Sequence, residues 1–202
     1  MNGFTEELLL DISRYTGIEF ERIPANWDNL VDGLKKKKFD AVLTSLPPYE
    51  YNRVLFDFSQ NFLDLGPVLI VPADSKQEDL NKMQEGLIGV ISGDPSEFIA
   101  NRYPALTVHR YSAIPDLLNA VASGEVLAGL LDRLPAVSYV QDLYSGKLKI
   151  ASGSLTDTGL HLVTLKEGSK RLLSQFDKAL DTMQKKKKLD ALQKKWRLNP
   201  SQ

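Results

Sequence analysis

Cysteine is absent from this 202-residue chain, which excludes disulfides, thiolate nucleophiles and Cys-bound zinc and leaves the redox compartment open. Histidine is nearly absent. Only His109 and His161 could supply imidazole, and neither has a second His or a carboxylate at a metal-like spacing, so no metal site and no cofactor are expected. No apolar run approaches the ~20 residues of a membrane-spanning helix, so direct membrane insertion is not expected of this stretch. The N-terminus likewise lacks a basic start, a hydrophobic stretch and a small-residue cleavage site. With 25 Lys+Arg against 26 Asp+Glu, the net charge of −1 gives no whole-chain basic field of the kind that draws nucleic acid or anionic lipid, and nucleic acid is excluded as an expected partner.

What is present is ordinary globular composition, 43% hydrophobic and 25% charged, in a chain long enough to bury ~70% of its unfolded surface. Short apolar runs alternate with helical-period segments almost throughout, the pattern of βα units, so the class is α/β. Thr5-Glu6-Glu7, followed by Leu8, Leu9, Ile12 and Tyr15, reads as a capped helix stopped by Gly17; residues 18–23 alternate as a strand. Helix 27–36 and buried strand 39–43 follow, broken by Pro47-Pro48. Residues 65–71 read as a strongly apolar strand ended by Pro72, and a polar stretch leads into a helix to about Gln84.

The rhythm then restarts: strand 87–91, helix 95–102, strand 106–110, helix 114–122, strand 127–131, helix 134–144 and strand 148–151. After Gly153-Ser154 come strand 160–165 and helices 170–183 and 189–196. The closing segments are too short for a third domain. Two lobes are therefore expected: residues 1–72 with 158–202, and residues 73–157. Two chain crossings between them would form a hinge. The lysine runs 35–38 and 185–188 fall at helix ends or junctions, where a solvated face is the first expectation.

Several ordered segments carry a resemblance. Gly3-Phe4-Thr5-Glu6-Glu7-Leu8, Phe39-Asp40-Ala41-Val42-Leu43, Phe56-Asp57-Phe58-Ser59, Gly89-Val90-Ile91-Ser92-Gly93, Ala120-Val121-Ala122-Ser123-Gly124, Leu131-Asp132 and Lys194-Lys195-Trp196 are spaced as in the type II periplasmic solute-binding proteins of the polar amino-acid type (family 3). Tyr103-Pro104 and Leu148-Lys149-Ile150-Ala151 look like the Venus-flytrap modules of sensor kinases. The resemblance implies a two-lobed, periplasmic-binding-protein-like α/β fold with mostly parallel sheets. It implies a non-enzymatic module at the periplasmic or extracellular face that closes on a small polar ligand, with a membrane permease or a membrane-anchored output domain as partner. The alternatives are a cyclohexadienyl-dehydratase-like enzyme on the same fold and a signalling module without ligand.

From the residues themselves, Thr44-Ser45 and Ser92-Gly93-Asp94 fall just past strand ends, where open α/β sheets bind ligands. The resemblance adds Trp27 as an aromatic cover and Asp132 as the acidic group holding a ligand ammonium by a charge-assisted bond. Packing for Trp27, turn satisfaction for the hydroxyls and helix N-capping for Asp132 are the plain alternatives. The anion-holding positions depart from the family pattern. Its Thr and Arg fall on Tyr49 and Asn52, with Arg53 one residue late, and its anion-cradling loop is here Gly93-Asp94-Pro95. Pro95 has no N–H, and Asp94 brings a negative charge and reads as an N-cap. Two like charges ~4 Å apart at an effective dielectric of ~20 repel by ~4 kcal/mol, about three decades in affinity. The ligand expected is cationic, with a weak or absent carboxylate. The family's first strand of lobe one has no counterpart, so 18–23 and 39–43 lose a shared neighbour. Lower stability, strand donation from another molecule or a rearranged first lobe is expected.

Overall fold

The computed structural model describes residues 3–26 and 29–198. Packing divides the chain into one unit of Met1–Asp64 with Thr158–Asn199 and a second centred on residues 65–157. In the first unit, α1 (Phe4–Thr16) buries a stripe of Phe4, Leu8 and Ile12 spaced four residues apart. Gly17 ends it at φ 71, a left-handed conformation that glycine adopts without strain, and donates its N–H to Ser13 O. The N-cap is Gly3 rather than Thr5, which lies inside the helix, and no side chain caps the end.

Residues 18–23, expected as a strand, pair with no strand among the described residues; Glu19, Glu21, Arg22 and Ile23 are exposed. Alternation specifies a surface that one face of a sheet can cover. A ladder also needs a neighbouring edge, and these residues have none. Helix α2 (Leu30–Lys35) is shorter than expected, β1 (Val42–Thr44) lies later than expected, and a short helix α3 (Glu50–Arg53) precedes β2 (Phe56–Phe58) and β3 (Leu63–Asp64). The shared neighbour is β9 (Gly159–Leu165), which pairs antiparallel with β1 (Val42↔Val163), β2 (Phe58↔Val163) and β3 (Leu63↔Leu160). The central strand of this sheet is thus supplied from within the chain, against the expectation of a donated strand or a rearranged lobe, and residues 18–23 stay outside it. Helices α7 (Lys170–Lys185) and α8 (Lys188–Lys195) pack with α1, burying Phe176, Leu180 and Met183.

The second unit holds β4 (Pro67–Pro72), β5 (Gly86–Ile91), β6 (Leu106–Tyr111), β7 (Ala128–Asp132) and β8 (Leu148–Ile150), in the order β6-β5-β7-β4-β8. Residues 65–72, expected in the first lobe, belong here, because β4 pairs antiparallel with both β7 and β8. Among the described residues, parallel pairing is confined to β5 with β6 and with β7; the first sheet is antiparallel and the second mixed, so the sheets are not the mostly parallel ones expected.

Around this sheet lie α4 (Ser96–Ala100), α5 (Ile114–Ser123) and α6 (Arg133–Asp142). Val68 and Ile70 face α5 and α6, whereas Leu69 and Val71 join Ile99 and Ala100 in the opposite layer. All four side chains are fully buried, contributing roughly 1.5–3 kcal/mol each, which is why β4 reads as an unbroken apolar run. Gly89 lets α5 sit close: a Cβ there would overlap Leu117 Cδ1. Between β4 and β5 the expected helix is only a 3₁₀ turn, Leu80–Lys82, capped by Asp79. The polar run before it offers just Leu80 and Met83 to the core.

Candidate functional site

The second unit brings two carboxylates to one end of its sheet. Strands β5 and β7 are parallel neighbours, and Asp94 and Asp132 follow or end them at the same, carboxyl edge. Asp132 occupies the N-cap position of α6, yet its carboxylate accepts no helix N–H and has no hydrogen-bond or ion-pair partner among the described residues. It is half-buried. Burial, and after it the charge of Asp94, push its pKa above the ordinary carboxylate value. An opposite charge placed beside it would offset both causes.

The loop between β5 and α4 shows the opposite poverty for anions. Its backbone donors are already engaged: Ser92 N–H goes to Tyr111 O at 2.9 Å and Asp94 N–H to Ile91 O at 3.1 Å. Ser96 N–H goes to Asp94 Oδ1 at 2.8 Å, which realises the N-cap expected of Asp94. Gly93 N–H donates to the Glu97 carboxylate. Pro95 has no N–H to offer. Glu97 is held in turn by Arg110, whose Nε and Nη2 lie 2.8 and 2.6 Å from Oε1, and this pairing keeps the Glu97 pKa below its usual range. An incoming carboxylate therefore finds no free donor in the loop and meets Asp94 instead.

Glu97 and Arg110 were not anticipated from the sequence. The signal was available, since an acidic N-cap followed three residues later by Glu is the capping-box spacing, in which the second side chain reaches back to the loop. Arg110, on β6, carries no such local mark.

In the first unit, Thr44 ends β1 and is buried, and its hydroxyl accepts Leu46 N–H at 3.1 Å, the turn-satisfying alternative; Ser45 beside it is half-buried. Asn52 Nδ2 donates to Pro47 O and Arg53 Nε to Pro48 O, both at 2.8 Å. The Arg53 guanidinium also lies 5.5 Å from the Phe58 ring centre. Both side chains fasten α3 to the double-proline loop, although Arg53 remains exposed. Thr44 also lines an apolar cavity of about 140 Å³ under α2, together with Leu30, Leu34, Val42, Phe56 and Val163. His161, opposite Thr44 on β9, is buried with Nδ1 2.9 Å from Ser59 O, and His109 is exposed. Trp27 lies outside the described residues. No group of three potential metal ligands occurs among the described residues, and no described helix is long and apolar enough to cross a membrane.

Comparisons with known proteins agree with this architecture. The model of the bacterial extracellular solute-binding proteins, family 3, matches residues 1–199. The arginine-binding extracellular protein ArtP of Bacillus subtilis is 25% identical over 188 residues, covering 90% of this chain and 72% of that protein. The unliganded, open L-cystine solute receptor of Neisseria gonorrhoeae superposes with a TM-score of 0.80 at 19% identity, over 98% of this chain and 84% of the receptor. Membrane-bound lytic murein transglycosylase F of Aeromonas hydrophila is 26% identical over 131 residues, 61% of this chain but only 26% of that enzyme.

Proposed function

The chain belongs to the bacterial extracellular solute-binding proteins, family 3, and from that premise we propose that it is a non-enzymatic receptor for a small ligand bearing an ammonium or guanidinium group, which Asp132 holds. The observation that carries this reading is the half-buried Asp132 carboxylate beside Asp94, without a partner among the described residues, in a unit whose neighbouring loop has its N–H groups spent on Glu97, Asp94 and backbone carbonyls. A cation gains from both charges, whereas an anion gains from neither. The arginine-binding relative is consistent with a cationic ligand. Amines and amino acids with a basic side chain are the ligand class; free α-carboxylates contribute little. Uptake through a membrane permease and sensing through a membrane-anchored output domain both use such a module at the extracytoplasmic face, and the permease or output domain is its partner.

A catalytic reading would use the same two carboxylates as an acid and a base with separated pKa values. It is the weaker reading, because Arg53 is fastened to Pro48 and Arg110 to Glu97, and a dicarboxylate substrate needs such cations free.

The test is calorimetry and thermal shift across amino acids, amines and polyamines. Binding of amines and basic amino acids, whose cationic group is not balanced by an adjacent carboxylate, in clear preference to zwitterions such as alanine supports the proposal. Micromolar binding of a neutral amino acid such as alanine, with no preference for basic ones, overturns it.

A further inference from the structure

The charge of this protein is unevenly placed, and the ligand-binding reading makes no use of that. The whole chain carries a net −1, yet the stretch Lys170–Lys195, spanning α7 and α8, holds nine Lys and Arg against three Asp. At the junction of the two helices, Lys185, Lys186, Lys187 and Lys188 are all exposed, and none forms an ion pair among the described residues. Lys187 adopts φ 54, and the sharp turn there sends Lys186 and Lys188 to one partner. Their ammonium groups lie 5.2 and 5.4 Å from the centre of the Tyr15 ring at the end of α1. An aromatic face, rather than a carboxylate, thus gathers two like charges, leaving their full positive field directed outward.

We propose that this corner of α1, α7 and α8 is a docking surface for a membrane rich in anionic phospholipid headgroups. Lysine suits that partner. It is a compact point charge on a flexible stem that meets many phosphates without fixed geometry, whereas a shaped phosphate site favours arginine forks. A half-buried tyrosine at the same spot has the amphipathic character of residues that settle at headgroup level. Single-stranded nucleic acid would call for several stacking aromatics along a basic groove, and this corner offers one ring. A receptor held by its basic corner stays near the membrane, where a permease or output domain would meet it.

The magnitude follows from the charges. Each lysine close to an anionic surface raises partitioning roughly fivefold, so three together are worth on the order of a hundredfold, and the effect fades once salt shortens the screening length. The experiment is sedimentation of the whole chain with phosphatidylcholine vesicles containing or lacking phosphatidylglycerol, at low and at high salt. The expected result is binding only to the phosphatidylglycerol vesicles, lost at high salt and lost in the triple variant Lys186→Ser, Lys187→Ser, Lys188→Ser. A control variant, Lys35→Ser, Lys37→Ser, Lys38→Ser, removes the same charge from the other lysine run and should bind as the parent does. Absence of binding to anionic vesicles, equal loss in the control, retention by the first variant, or tighter binding to a soluble polyanion such as heparin overturns the proposal.

Discussion

Replacing Asp132 with Asn is the most direct probe of the site, because it removes the charge and keeps the shape. A hydrogen bond to a charged group contributes ~1.5–3 kcal/mol, equivalent to roughly 10–150-fold in Kd. Two opposite unit charges ~4 Å apart at an effective dielectric of ~20 attract by ~4 kcal/mol, which is the ceiling, since Asp132 is half-buried and water screens it. A loss of 10–150-fold for a basic ligand is therefore expected, with alanine binding weakly to parent and variant alike. Asp94→Asn should cost less than tenfold, because Asp94 acts as the more distant charge and Asn retains the bond to Ser96 N–H.

The unliganded protein should respond in the opposite direction. Asp132 has its pKa raised on folding, so the folded state binds a proton more tightly than the unfolded one, and this group's contribution to stability falls as pH rises from its ordinary 3.8 through the raised value. Near neutrality the ionised group opposes folding, and Asn at this position should raise the unfolding temperature. At acid pH the difference should vanish. Affinity for a cation follows the same group: it holds at neutral pH and declines as the solution is acidified through the raised pKa, where protons compete. Titration calorimetry with arginine, putrescine and alanine, and thermal unfolding at both pH values, provide the measurements. An unchanged Kd for the cations, or an unliganded variant less stable than the parent at neutral pH, would refute the reasoning.

Other consequences are independent of the ligand. Ile70→Ala, at a fully buried position paired with Gly129 and Ile150 in the middle of the second sheet, should cost ~2–5 kcal/mol, read from the urea midpoint of that unit. Gly89→Ala places a methyl against Leu117 and Tyr111 and should cost ~1–3 kcal/mol by overpacking, visible as a lower unfolding temperature. Asp57, bonded to Lys166 at 2.8 Å and to Glu167 N–H at 2.7 Å, has its pKa lowered first by Lys166, so its stabilisation is present above its ordinary 3.8 and is lost as pH falls through the lowered value. Asp57→Asn should flatten the acid limb of stability against pH; an unchanged slope would show that the pair is merely a surface contact.

Local information in the chain determined a good deal. The helices ended by Gly17 and Gly124, the buried run at β4 and the strand-end placement of Asp94 and Asp132 were legible because periodicity, left-handed caps and apolar runs are properties of neighbouring residues. Pairing was not legible in that way. Residues 18–23 have the alternation of a strand and no strand partner among the described residues, while β4 joined the second unit because β7 and β8 flank it; both outcomes depend on edges supplied from far along the sequence. The same distinction holds for the site. Pro95 and Asp94 announced a poor anion cradle by composition alone. Only the folded chain set Arg110 against Glu97, turned Glu97 onto Gly93 N–H and left Asp132 without a partner among the described residues, because charge pairing and burial are decided by which strands lie side by side.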